Sequence, residues 1–348
     1  MSNRLRITNN KSKKYDNIED INEILESQEE IKDFNERTEE KINLLTADHS
    51  LDVIPEEEII DEPKEKIPIY DARKSSTRKK TMSVKISARG KRSVHIQELD
   101  PNLIPPTLES FMDPKHTGSK IAVIGKPGTG KSRIIKSILY EKSEIFPCAQ
   151  VFSGTEDSNH AYAGFIPSTF VFNGFSQSVY VDFIKRQKLA KTYLDNPWAA
   201  EIWDDITEDE RIFNLPVVKG TYKNGRHWKI LHILSLQYAL DVKPVIRTNI
   251  DGTFILRETI KRNRKVLFEN YSSVFDDYGD FCDVLDAVTN DFTALYIHNR
   301  TQSNSFEDCV FWYKARDDIP DNFRLGAKEM WMFHQERYNP SYVDPIEV

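Results

Sequence analysis

Hydrophobic and polar positions change their pattern near residue 120. Downstream of it, short apolar runs alternate with longer stretches of helical spacing. KIAVIG (120–125) is an apolar run, and IIKSILYEKSEIF (134–146) reads as a helix. CAQVFSG and STFVFNG follow as strand-like runs, and QSVYVDFIKRQKLAKTYL reads as a second long helix. AAEIW, WKILHILSLQ and GTFILRE continue the series of strands, while DFTALYIHN and CVFWYKA are expected to add strands at a sheet edge. Buried strands alternating with helices predict an α/β domain with a mainly parallel central sheet flanked by helices. Upstream the pattern differs. Ile18, Ile21, Leu25, Ile31, Phe34, Ile42 and Leu45 recur at near-helical spacing among acids. That spacing fits either a lone amphipathic helix or a solvated acidic linker. The Pro-rich segment around Pro101, Pro105 and Pro106 marks the start of the folded part. The expected organisation is a charged, mostly disordered extension over 1–107, a folded domain over 108–335 and a tail over 336–348.

Composition supports a real core. Among 348 residues there are 14 Tyr, 19 Phe and 5 Trp, which excludes wholesale disorder. The formal net charge of −7 argues against a protein that coats nucleic acid with its whole surface. That charge is segregated, however. Residues 15–72 carry 20 acids against 5 bases, and residues 73–92 carry 9 bases and no acid. Opposite charge blocks with few aromatics predict disorder for most of the first third. No stretch approaches the roughly 18–20 continuous apolar residues of a membrane span. The basic N-terminus lacks an apolar segment behind it, so no secretory signal is expected. Cys148, Cys282 and Cys309 are far apart and odd in number, which fits neither a disulfide framework nor a CxxC metal site and suggests a reducing compartment.

The most specific signal is Gly125-Lys126-Pro127-Gly128-Thr129-Gly130-Lys131-Ser132, a match to G-x-x-x-x-G-K-[ST] between an apolar strand and a helix. Glycines let backbone N–H groups turn inward as an anion nest, and the helix N-terminus adds partial positive charge. Lys131 is expected to reach the β- and γ-phosphates of a nucleotide, and Ser132 to ligand Mg²⁺. Such a loop needs a second strand that ends in an acid. The stretch WAAEIWDD (198–205) supplies it. Asp204 is expected to hold the metal through its water shell, and Asp205 to orient and deprotonate an attacking water. Glu208, Asp209 and Glu210 are rival acids, and a plain capping role is the structural alternative for both aspartates. Glu201 interrupts this strand, so the strand is expected to be short or to have one polar face. The next strand ends in Gln237, where open α/β sheets bind ligands. Gln237 is therefore a candidate sensor of the γ-phosphate or the lytic water. Arg226, in NGRHW, is the candidate arginine finger, with Arg247 and Arg257 as rivals. His227 and His232 lack the partners of a zinc site, and both are expected to be satisfied structural histidines. No G-x-S-x-G elbow is present.

Taken in order, GKPGTGKS, IWDD, NGRHWKILHILSLQY and PVIRTNIDGTFILRE resemble the poxvirus-type genome-packaging ATPases of nucleocytoplasmic large DNA viruses, within the FtsK–HerA group of P-loop NTPases. The likeness continues through NRKVLFENY (263–271), DCVFWYKA (308–315) and LGAKEMW (325–331), and spans about residues 118–332. The resemblance implies a P-loop NTPase fold and an ATP-driven, Mg²⁺-dependent translocase that moves double-stranded DNA into a preformed capsid. It implies a homo-oligomeric ring with ATP between neighbouring subunits, capsid or portal-site proteins as partners, and work at the viral assembly site in the host cytoplasm or in the virion. Lys131 and Ser132 take the Walker A roles, Asp204 and Asp205 the Walker B roles, Gln237 that of sensor, and Arg226 that of a finger on a neighbour's ATP. Lys219, Lys223, Arg262, Arg264 and Lys265 are candidates for DNA-facing loops. AAEIW departs from the unbroken aliphatic run of the relatives. The competing readings are another motor or helicase of the same group, or a nucleotide-binding virion protein with little turnover. The basic block has two readings as well: a DNA-binding or nuclear-import tail, or a solvated linker.

Overall fold

The computed structural model describes residues 80–86, 92–207 and 209–339. The helical pattern of residues 18–45, the whole acidic block, most of the basic block, Glu208 and residues 340–348 lie outside them.

Ten strands form one sheet: β1 Thr81–Ile86, β2 Arg92–Glu98, β3 Lys120–Ile124, β4 Cys148–Ser153, β5 Val171–Asn173, β6 Ala199–Asp204, β7 Ile230–Leu236, β8 Gly252–Ile255, β9 Thr293–His298 and β10 Val310–Lys314. Their spatial order is β1-β2-β10-β9-β8-β3-β7-β6-β4-β5. From β8 to β5 every pairing is parallel, and among the described residues antiparallel pairs occur only at β8–β9, β9–β10 and β1–β2. The central strands are buried along their whole length, as apolar parallel strands covered on both faces must be. Alternate residues feed two separate cores. Ile121, Val123, Ile202 and Ile233 face one layer, which receives Ile134, Ile135 and Ile138 of helix α1 (Lys131–Glu141). Ala122, Ile124, Trp203 and Leu234 face the other. That second layer is covered by helices α2 (Gln177–Tyr193), α3 (Pro216–Asn224), α4 (Lys261–Tyr271) and α5 (Tyr278–Val288). Helix α6 (Lys328–Arg337) returns to the first layer through Met330.

The α/β class and the parallel sheet agree with the sequence pattern, but two expectations are corrected. The runs DFTALYIHN and CVFWYKA become β9 and β10, which are interior strands rather than edges, because β2 and β1 continue the sheet beyond them. The folded part also begins before residue 108. TMSVKI alternates with Val84 and Ile86 inward and Thr81, Ser83 and Lys85 exposed, the period-two pattern of a half-buried strand. The dense lysines and arginines around it concealed that alternation. Within the basic block, Arg92 pairs with the buried Asp280 of α5 at 3.0 Å, so part of the block builds structure.

The segment between β2 and β3 has little regular structure, and two lysines anchor it. Lys142, at the end of α1, is buried and donates to the carbonyls of Pro101, Ile104 and Pro106 at 2.9, 2.7 and 2.8 Å. Lys229 donates to those of Asp113, Pro114 and His116, and its ammonium lies 5.0 Å from the Trp198 ring centroid. Three donors on each ammonium replace the ladder that an irregular segment lacks. Lys142→Met leaves three carbonyls without their donor. It is expected to lower the unfolding free energy by about 2–4 kcal/mol in denaturant titration. A loss below about 0.5 kcal/mol would mean that other contacts hold this segment.

Candidate active site

The strand β3 runs into the loop Gly125–Ser132 at the C-terminal edge of the sheet, and α1 starts at Lys131. Gly128 and Gly130 have φ of +76° and +104°, in the left-handed region that side chains with a Cβ rarely adopt. At Gly130 a Cβ would also lie 2.6 Å from Phe292 Cδ1. Thr129 closes the turn, donating from its N–H and its Oγ1 to the Lys126 carbonyl at 3.2 and 2.7 Å. The Lys126 side chain turns away to the buried carboxylate of Glu258, at 2.6 Å. Lys126 thus contributes backbone to the loop, while its ammonium ties the loop to the segment after β8. Burial pushes the Glu258 carboxyl up, but Lys126, the Ile260 N–H and Asn263 outweigh it and hold the carboxyl below its ordinary value.

Strands β6 and β7 end beside this loop. Lys131, 7% exposed, places Nζ 3.5 Å from Asp205 Oδ2. Gln237 Nε2 donates to the same oxygen at 2.9 Å. The remaining oxygen, Asp205 Oδ1, is buried with no hydrogen-bond partner. Asp205 has φ +51°, a left-handed conformation that costs a non-glycine residue about 1–2 kcal/mol. Backbone strain of this kind persists where surrounding structure enforces it, as at catalytic turns. Asp204 accepts from the Tyr162 hydroxyl at 2.8 Å through Oδ2, while its buried Oδ1 has no partner. Burial pushes the Asp204 carboxyl up from its ordinary value and the Asp205 charge adds to the rise, opposed first by the hydroxyl of Ser235, its partner across β6 and β7, and then by Tyr162 and Lys131. A cleft of about 380 Å³ opens beside Asp205, lined by Gly154, Phe175, Ile206 and Leu215.

The oxygens of Ser132 and Asp204 fit a hard divalent cation that keeps several waters. Mg²⁺ typically takes one or two protein oxygens and completes its shell with water and substrate phosphate. Among the described residues no cluster of three or more His, Cys, Asp or Glu could hold a metal by itself. Asp204 Oδ1, buried without a hydrogen-bond partner, is an oxygen open to such an ion or its water shell.

Lys131, Asp204, Asp205 and Gln237 therefore meet at one edge, as the motif spacing predicts. Arg226 does not join them. It lies at the opposite edge of the sheet, where NH2 donates to Asp251 Oδ1 at 3.1 Å and Asp251 Oδ2 accepts from the N–H of Lys120, the first residue of β3. The loop is one strand length away, about 16 Å at 3.3 Å per residue. Of the rivals, Arg247 donates to the Val242 carbonyl, and Arg257 follows β8 on the loop's own edge and donates to Asn290 Oδ1 at 2.7 Å. The rival acid Asp209 is exposed and bound by Arg211 at 2.8 Å. Among the basic candidates, Arg264 is engaged by Asp286 at 2.6 Å and Lys265 lies 3.9 Å from Glu269.

Glu201 resolves differently from expectation. The strand is not short and neither face meets solvent: all six residues of β6 are buried. Glu201 Oε1 accepts from Trp203 Nε1 at 2.8 Å, and Oε2 accepts from His232 Nδ1 at 3.0 Å. His232 Nε2 meets the Tyr222 hydroxyl at 2.8 Å. The buried carboxylate is fully satisfied, and His232 is structural as the sequence suggested. Three residues at the site escaped sequence reasoning. Tyr162 holds Asp204, Glu156 holds the Tyr162 and Ala163 N–H groups at 3.1 and 2.8 Å, and Glu258 holds Lys126. Only Glu258, just past the end of β8, had a positional signal.

No protein-family model matches the chain. Individual proteins do. It is 46% identical over 246 residues to uncharacterized protein 088R of Invertebrate iridescent virus 3, covering 70% of this chain and 94% of that protein. The chain belongs to this family of large-DNA-virus proteins. Uncharacterized protein 075L of Invertebrate iridescent virus 6 is 44% identical over 250 residues, covering 71% and 96%. L437 of Acanthamoeba polyphaga mimivirus is 30% identical over 232 residues, covering 64% and 80%. Among solved structures, the chain is similar to the genome packaging NTPase B204 of Sulfolobus turreted icosahedral virus 2 in complex with ATP-γ-S. That match has a TM-score of 0.42 and 13% identity over 56% of this chain and 96% of that one. It is also similar to the pCW3 conjugation coupling protein TcpA, with a TM-score of 0.44 and 10% identity over 76% and 73%.

The raised Asp204 carboxyl has a thermodynamic consequence. A carboxyl whose folded value exceeds its unfolded value disfavours the fold once it ionises, so stability declines as pH rises through the folded value. Asp204→Asn keeps an acceptor for Tyr162 and removes the charge. At neutral pH, in metal- and nucleotide-free buffer, it is expected to raise the unfolding free energy by about 1 kcal/mol. A lower value for the variant would mean that the ionised carboxylate stabilises the empty site.

Proposed function

We propose that this chain is an ATP-hydrolysing double-stranded DNA translocase that packages a viral genome. The observation that carries this reading is the meeting of Lys131, Asp205 and Gln237 beside the half-unsatisfied Asp204 at the end of β3, β6 and β7. A protein that merely bound nucleotide would have no use for a carboxylate held toward the γ-phosphate position with one oxygen left unpartnered. Membership in a family of large-DNA-virus proteins favours a packaging motor over a cellular one of the same group.

In this reading the Gly125–Ser132 backbone cradles the phosphates, and Lys131 moves from Asp205 to the β- and γ-phosphate oxygens. Mg²⁺ bound through Ser132 and Asp204 would offset the charge on those oxygens. Asp205, oriented by Gln237, accepts the proton of the attacking water at Oδ1. Tyr162 and Glu156 keep Asp204 in place. Arg226 is 30% exposed at the far edge, out of reach of its own loop. It serves a neighbour's ATP in a homo-oligomeric ring, after release from Asp251. The assembly works with capsid or portal-site proteins at the viral assembly site in the host cytoplasm or within the virion. Exposed lysines and arginines such as Lys219, Lys223 and Arg262 face the DNA.

Lys131→Ala is expected to abolish ATP hydrolysis with an unchanged far-UV spectrum; hydrolysis at the parental rate would sink the site assignment. Double-stranded DNA is expected to stimulate hydrolysis by the parental protein without strand separation. Turnover indifferent to DNA would favour a nucleotide-binding virion protein, and strand separation a helicase. Arg226→Ala titrated into wild-type subunits is expected to depress activity more than in proportion to its fraction. Proportional loss would remove Arg226 from the neighbour's site.

A further inference from the structure

One element against the phosphate loop has no part in hydrolysis as described. Between α5 and β9 the chain reverses at Asn290–Thr293, where the Thr293 N–H donates to the Asn290 carbonyl at 3.0 Å. Both central residues, Asp291 and Phe292, have positive φ, +48° and +55°. Asn and Gly populate that region readily, whereas a bulky aromatic there is an outlier that its surroundings must enforce. Three contacts enforce it. Arg257 donates to Asn290 Oδ1 at 2.7 Å, Lys314 pairs with Asp291 at 2.7 Å, and the Ala315 N–H donates to the Phe292 carbonyl at 3.2 Å. The ring so placed is not a core residue, since Phe292 is 37% exposed. It lies against Gly130, and the Arg133 guanidinium sits 4.2 Å from its centroid.

The strand order says which part of a nucleotide comes here. Asp204, Asp205 and Gln237 end β6 and β7, on one side of β3, so the γ-phosphate lies on that side. The nucleoside end must leave toward the opposite side, where β8 and β9 carry Arg257 and Phe292. Arg133 directly follows the last residue of the loop motif, within reach of a base attached to phosphates held there.

We propose that Phe292 and Arg133 form the stacking platform for the purine base of the bound nucleotide. The proposal rests on the reading of Gly125–Ser132 as a nucleotide site. A purine is a flat π-system, and a guanidinium paired with an aromatic ring offers it a flat, weakly hydrated surface. Stacking of this kind tolerates any base in principle and favours the larger purines over pyrimidines.

The test compares two ligands of the full chain by equilibrium titration with Mg²⁺: ATP, and inorganic tripolyphosphate, which has the phosphates without the base. Phe292→Gly is expected to weaken ATP about ten-fold, the scale of one lost base stack, and to leave tripolyphosphate unchanged. Phe292→Trp is expected to retain ATP affinity. Phe292→Asn, a residue suited to positive φ, is expected to match Phe292→Gly and guards against a loosened turn. Equal weakening of both ligands in the Gly and Asn variants would show a structural cover over Gly130, and unchanged ATP affinity would show no base contact. Either result overturns the platform. Failure of the parental protein to bind tripolyphosphate would instead overturn the phosphate-loop reading on which it stands.

Discussion

The parallel register of β3, β7 and β6 is the constraint on which the site depends. Ile124 lies opposite Leu236, and Ser235 opposite Asp204, so the three strands end together and release their loops into one space. A slip of one residue would turn every side chain to the other face and separate Lys131 from Asp205. Hydrogen bonds along the ladder do not choose among registers, because each register satisfies them. Side chains choose. Small residues at Ala199, Ala200 and Ala122 let the strands and their covering helices approach, and Trp203 fills the second layer among Phe152, Phe175 and Tyr180.

The buried Glu201–His232 contact adds a stricter condition. The two residues are direct partners across β6 and β7, three positions before Asp204 and Ser235. Their contact forms in one register only; in any other, Glu201 would keep Trp203 of its own strand and lose the partner of its second oxygen. Removing one partner of a hydrogen bond to a buried carboxylate typically costs about 1–3 kcal/mol or more, above what a surface ion pair contributes. Glu201 thus works as a pin that holds β6 level with its neighbours. A polar residue in an apolar strand gives uniqueness where more aliphatic residues would give only burial.

Much of the edge chemistry was legible in the sequence, because it belongs to local motifs at strand ends. The phosphate loop announces itself by glycine spacing, and Asp204, Asp205 and Gln237 follow apolar runs directly. The location of Arg226 also follows from chain direction. It precedes β7, so it lies at that strand's beginning, away from the loop, whereas Arg257 follows β8 and lies near it. What the sequence concealed is held by contacts between distant segments. Tyr162 meets Asp204 across 42 positions, and Lys142 reaches carbonyls up to 41 positions back. No periodicity encodes such pairs. β1 was hidden for a different reason: its alternation is sound, but its charged neighbours dominate any compositional window.

The placement of β1 carries a mechanical consequence. The register runs unbroken from Thr81 through Gln97, Phe311, Tyr296 and Phe254 to Val123, two residues before the phosphate loop. β1 descends from that level, so the chain enters the sheet on the side of the Gly125–Ser132 loop, five strand spacings or about 24 Å from β3. Tension applied upstream of Thr81 therefore loads the interstrand hydrogen bonds in shear, at the height of the loop. The same sheet that aligns Lys131, Asp205 and Gln237 is the strut through which such tension would reach them.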